Sequence, residues 1–241
     1  MRTVCGMGRR VQAILGRGRA RATPVAEVRP IAAGRRPLLT GKLGEQRRGG
    51  ARLDQVDGTT CGSAVLIALA AWADPAETQR LDGESAAGEA VNGRLGVAGS
   101  FPAGFGARFD ARQRQVHRES TRFWPQALGT TPWGMVRWLR QHAPAAGPYR
   151  VRLVDDVSAT DVEQVLSAVG AALAAGRPVP LLVGAFVPRH YVMALGVHDG
   201  GWRVYEPSSG EVRALDLDLV RQRKLAEVLG FDRLHAALLP T

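Results

Sequence analysis

Apolar and polar positions along the chain change character near residue 53, and most of the predicted architecture lies beyond that point. Residues 61–73, Cys-Gly-Ser-Ala-Val-Leu-Ile-Ala-Leu-Ala-Ala-Trp-Ala, are apolar nearly all round and built of good helix formers. Thr59 and Thr60 precede the run, and either can cap a first turn, so a buried helix beginning at the cysteine is expected. Residues 83–122 carry seven glycines and scattered charges with little periodicity, which reads as a long surface excursion holding at most a short helix. A helix follows over 132–142, with Trp133, Val136 and Leu139 or Arg140 at helical spacing, Pro132 in its first turn and Pro144 just past its end. Residues 149–154 read as a strand and 158–175 as an amphipathic helix, entered through Ser158 or Thr160 and ended by Gly176.

The last third is dense in strand signals at 179–187, 190–198, 202–205 and 211–215. They are broken by Pro188-Arg189, Asp199-Gly200-Gly201 and Pro207-Ser-Ser-Gly210. An antiparallel sheet is the natural assembly. Alternation in its second strand puts His190, Val192 and Ala194 on one face and Tyr191, Met193, Leu195 and Val197 on the other. A helix over 216–228 and a short strand over 234–239 complete an α+β domain spanning 53–241, with the cysteine helix packed on the C-terminal sheet.

Charge adds a second division. The chain of 241 residues carries a formal +10, yet residues 1–52 hold 13 Lys and Arg against only Glu27 and Glu45, leaving the remainder near neutrality. Without sustained apolar periodicity, residues 1–52 read as a basic extension, disordered or loosely attached. An arm of this kind can touch nucleic acid or an anionic surface. A solvated tail is the preferred reading, because Arg-richness runs through the whole chain and no aromatic side chain lies among these bases to stack on a nucleotide.

Other classes are excluded more sharply. No apolar run approaches the ~18 residues of a membrane span, and residues 11–16 are too short and too Arg-flanked for a signal-peptide core, so a cytoplasmic protein is expected. Two cysteines, Cys5 and Cys61, build neither a disulfide framework nor a four-ligand zinc site. His117, His142 and His235 have no metal-ligand spacing with a cysteine, and no Walker-type or G-x-G-x-x-G loop is present. No metal or cofactor is expected.

Cys61 then needs its own explanation. A thiol in the first turn of a helix sees the partial positive charge of the terminal amides, which favours the thiolate. Such a nucleophile needs an imidazole to pair with and a third group to hold that ring. His190, at the start of a strand, and Glu206, returned beside it by the hairpin at Asp199-Gly200-Gly201, are the candidates. Gln55, six residues before Cys61, can place an amide donor where an oxyanion would develop. Rivals exist: His198 as base, although eight residues along a strand is about 26 Å from His190, and Asp199 or Asp216 as orienter. Cys61 can equally be a small buried hydrophobe.

Three segments together carry a resemblance: Asp54-Gln-Val-Asp-Gly-Thr-Thr-Cys-Gly-Ser-Ala64, His190-Tyr-Val-Met-Ala-Leu-Gly-Val197 and Val204-Tyr-Glu-Pro-Ser-Ser-Gly210. In order and spacing they resemble papain-like cysteine peptidases, specifically stand-alone bacterial relatives of the bacteriocin leader-processing (double-glycine) type. The resemblance implies a papain-like fold and a peptide or protein substrate, with Cys61 as nucleophile, His190 as base, an acidic orienter at Glu206 and Gln55 as oxyanion donor. The family has Asp or Asn where this chain has Glu206, one methylene longer. A transglutaminase-like acyltransferase and a catalytically inactive binding module on the same fold are the alternatives.

Overall fold

The computed structural model describes residues 1–15, 37–83 and 104–241. Its centre is a seven-stranded sheet whose neighbours are all antiparallel. In chain order the strands are β1 (Gly44–Glu45), β4 (Tyr149–Leu153), β5 (Val179–Gly184), β6 (Pro188–His198), β7 (Gly201–Glu206), β8 (Glu211–Leu215) and β9 (Arg233–Pro240), while β2 (Arg47–Arg48) and β3 (Ala51–Arg52) form a small separate hairpin. Across the large sheet the order is β1-β8-β7-β6-β5-β9-β4, so the last strand inserts between β5 and β4. The β6–β7 hairpin turns at Asp199 and Gly200, both at positive φ (46° and 78°), as a two-residue turn matched to the strand twist requires.

Helices cover both faces. On one lies α2 (Cys61–Ala73), of which only Trp72 is not buried, enclosed by α4 (Phe105–Ser120), α5 (Pro132–His142) and the sheet residues Tyr191, Met193, Leu195 and Tyr205. Burying four side chains as large as Val65, Leu66, Ile67 and Leu69 contributes about 1.5–3 kcal/mol each, which makes α2 the axis of this half of the core. On the other face α6 (Ala159–Ala174) presents Val162, Val165, Leu166 and Val169 to Val192, Ala194, Val204 and Ala237. The two faces of β6 thus divide as strand alternation requires.

Three expectations need correction. Residues 1–52 are not uniformly loose: α1 (Val4–Leu15) is helical and tied down by Arg2 to Asp155 (2.8 Å), Thr3 to Asp156 and Arg9 to Asp161 (3.1 Å). Leu38, Leu39 and Gln46 are buried, and β1 pairs with β8; residues 16–36 lie outside the described set. The physical reason is that Arg2 and Thr3, just before α1, and Arg9 within it meet a cluster of acids, Asp155, Asp156 and Asp161, that is remote in sequence. Secondly, residues 105–120 of the supposed excursion form a 16-residue helix on α2, with Phe105, Phe109, Gln113, Val116, His117 and Ser120 on the buried side. That stripe is half polar, which hid it from a hydrophobic-period reading; residues 84–103 lie outside the described set. Thirdly, the helix expected over 216–228 is two, α7 (Leu217–Gln222) and α8 (Ala226–Leu229), separated where Arg223 adopts a left-handed conformation (φ 59°). α3 (Pro75–Asp82), capped by Asp74, is additional. Among the described residues no helix is long and apolar enough to cross a membrane.

Candidate active site

Cys61 is the first residue of α2, and its sulfur is 129 residues from the imidazole it meets. Thr60, at the N-cap, sends no side-chain bond into the helix. Its hydroxyl instead donates to the carbonyl of Asp57 (3.1 Å) and accepts from the Asp57 amide (3.0 Å). Asp57 in turn accepts from the amide and hydroxyl of Thr59 (2.8 and 2.7 Å). The turn before Cys61 is therefore closed on itself, and the first-turn amides of α2 are left uncapped by that side chain, a suitable position for an anion. Gly62 allows close approach here, since a Cβ would lie 3.3 Å from both Thr130 and the Tyr191 ring.

His190 opens the central part of β6, opposite Val183 and beside a register shift in β5. Its side chain is 6% exposed, and its Nε2 is 2.7 Å from Glu206 Oε1. The Cys61 thiol is the ring's other side-chain partner, and Phe231 stacks on it with centroids 5.7 Å apart. Burial alone would lower the pKa of this imidazole, but the hydrogen bonds to Cys61 and Glu206 and their charges outweigh it and raise it to about 9. For Glu206, burial pushes upward; His190 and the amides of Ser208 (2.8 Å) and Ser209 (2.9 Å) push further the other way and hold its carboxyl at about 2. The Pro207-Ser-Ser-Gly210 turn thus wraps the carboxylate that ends β7. This accommodates the longer Glu arm: two oxygens, three close donors, and Arg213 at 3.9 Å.

Gln55 reaches the same turn from the other side. Its backbone N–H donates to the Pro207 carbonyl (2.8 Å), and its side-chain Oε1 accepts from the Ser208 hydroxyl (3.4 Å). Flanking residues are clamped by Gln113 of α4, which donates to the Asp54 carbonyl and accepts from the Val56 amide, and by the Tyr205 hydroxyl on the Leu53 carbonyl. One hydrogen of the Gln55 side-chain amide is engaged by the Asp57 carbonyl (2.8 Å), and the group carries a second.

Cys61, His190 and Glu206 are therefore in one buried chain of contacts, with Gln55 joined to it through the Glu206 turn. The rivals lie elsewhere. His198 pairs with the exposed Asp199 (3.4 Å) at the hairpin tip, and Asp216 caps α7 through the Asp218 amide (2.8 Å). Cys5 and Cys61 are both free thiols. Sequence reasoning missed the amides of Ser208 and Ser209, although the turn itself was visible; it had no signal for Phe231 or for the Gln113 clamp, which depend on tertiary packing. Compared with protein families, curated proteins and solved structures, the chain matches none of them.

Proposed function

We propose that this protein is a cysteine-dependent peptidase or amide-bond hydrolase on a papain-like fold. One observation carries the reading: a buried imidazole stands between a cysteine at a helix start and a carboxylate that three donors keep ionised. In the proposed reaction the Cys61 sulfur attacks the substrate carbonyl carbon, a C–S bond forms and the carbonyl π pair moves to oxygen. The oxyanion lies toward the first-turn amides of α2 and the second N–H of Gln55. Collapse breaks the C–N bond, and the His190 imidazolium gives its proton to the departing amine. Water then adds to the thioester with its proton taken by His190, and the carboxylic acid leaves as the thiolate is restored. Glu206 fixes which ring nitrogen faces the sulfur and supplies the charge that favours the imidazolium.

The test is alkylation by iodoacetamide near pH 6, followed by intact mass, together with release of amine from a mixed peptide pool. Rapid modification at Cys61 that His190→Ala abolishes, with amine release lost in both Cys61→Ala and His190→Ala, is expected. Labelling at the rate of an unfolded cysteine would dismiss the nucleophile. Products formed only when an added amine is present would replace hydrolysis by acyl transfer.

A further inference from the structure

Beside the turn that leads into Cys61 there is a cleft of about 300 Å³, walled on one side by Asp57, Thr59 and Thr60 and on the other by Arg114, His117 and Arg118 of α4. Its chemistry is asymmetric. Asp57, the only acidic wall residue among the described residues, is already committed to the Thr59 amide and hydroxyl. Arg114 and Arg118 stand one turn apart on the same helix face, and both are exposed. Neither closes a salt bridge among the described residues; Asp110, one turn before Arg114, interacts with it only at longer range. By contrast Arg108 and Arg112 on the same helix bind the Asp82 carbonyl and Glu77. His117 is buried, and among the described residues its Nδ1 has no hydrogen-bond partner. A partly enclosed space with two guanidiniums that close no salt bridge among the described residues suits a planar carboxylate, which a guanidinium can bind through two parallel hydrogen bonds.

Position gives the cleft a use. Thr60, one of its wall residues, is covalently joined to Cys61, their Cα atoms about 3.8 Å apart, so the cleft adjoins the turn from which α2 and its cysteine start. We propose that this cleft is a specificity subsite for a carboxylate side chain, so that the polypeptide processed at Cys61 carries Asp or Glu close to its scissile bond. This rests on the hydrolase reading above, from which the measurement must be separable.

The experiment uses the full chain and two probes, the acetylated and amidated hexapeptides of Glu and of Gln. Binding is followed by calorimetry, and occupancy of the site by protection of Cys61 from iodoacetamide. The Glu peptide is expected to bind roughly tenfold more tightly than the Gln peptide, as two partly exposed ion pairs allow, to slow alkylation in proportion, and to lose both effects at high salt. In Arg114→Gln/Arg118→Gln that preference should vanish while the melting temperature and the alkylation rate without peptide stay unchanged. Glu-peptide binding that survives this double substitution would place the anion on other arginines of the +10 chain and overturn the proposal, as would equal protection by the two peptides. An inert Cys61 combined with Arg114- and Arg118-dependent Glu binding would keep the carboxylate site and reject the hydrolase; an activated Cys61 without Glu preference would do the reverse.

Discussion

Glu206→Gln removes one charge from the buried pair while keeping the side chain's shape. In the native protein the carboxylate accepts from His190 Nε2 (2.7 Å), Ser208 N (2.8 Å) and Ser209 N (2.9 Å). Gln offers one oxygen and turns an NH₂ group toward at least one of these donors, so a bond is lost along with the counter-charge of the imidazolium. Breaking a buried pair from one side costs about 3–5 kcal/mol. Raising His190 from 6.5 to about 9 corresponds to about 3 kcal/mol, divided between Glu206 and Cys61. A loss of about 3 kcal/mol means a Tm lower by about 6–12 °C for a chain of this length. The pH dependence has a definite sign. The His190 contribution, its pKa being raised, is complete below 6.5 and disappears as pH rises through about 9. The Glu206 contribution, its pKa being depressed, is complete above 4.5 and disappears as pH falls through about 2. The gap between native and variant proteins is therefore widest from about pH 4.5 to 6.5 and narrows toward pH 10. Scanning calorimetry at about pH 5.5, 7.5 and 9.5 measures it. A gap of about 1 °C or less at the lowest of these, or one that is constant across the series, would refute the ionised pair.

Iodoacetamide should reach Cys61 well before Cys5 at neutral pH, because burial and then Asp156 push the Cys5 thiol up to about 11; peptide mapping that finds Cys5 modified first would contradict this. Gln55→Ala should lower kcat on the order of 10², the usual cost of a lost oxyanion donor, with little change in Tm; an unchanged kcat removes Gln55 from the site. Deleting residues 1–15 strips Arg2 from Asp155, Thr3 from Asp156 and Arg9 from Asp161, and should cost on the order of 1–2 kcal/mol, a Tm drop of several degrees. A truncated protein that melts with the full chain would return this segment to the status of a solvated tail.

What could be read in advance followed from local pattern. The alternation in β6 separated Tyr191, Met193 and Leu195 from Val192 and Ala194 because a strand has only two faces, and the all-round apolar run after Cys61 left α2 nowhere to lie but inside. That Cys61, His190 and Glu206 could form one candidate site was legible because their chemistry is specific and their spacing fits one helix and one hairpin. Elements stabilised by partners far along the chain were not legible. α1 depends on Asp155, Asp156 and Asp161, β1 is two residues long and exists only through β8, and α4 buries Gln113 and Ser120, polar residues whose partners a linear reading does not supply. The Glu206 cradle has the same origin: a turn was evident, but not that its amides point back to the carboxylate just before it.

The insertion of β9 between β5 and β4 has a consequence for biosynthesis. A ribosome releases the chain from its N-terminus, so α2 with its cysteine leaves the exit tunnel well before β9, the strand that fills the gap between β5 and β4. Pairings such as Gly44 with Val212 and Tyr149 with Pro240 join residues 168 and 91 positions apart and must close large loops before they are repaid by contacts. The nascent polypeptide therefore cannot hold His190 and Glu206 in a finished sheet until β9 has been made, and on the proposed mechanism the Cys61 thiol stays idle until then. A stop codon placed before Arg233, which removes β9, should yield an aggregation-prone product in which Cys61 labels no faster than an unfolded cysteine.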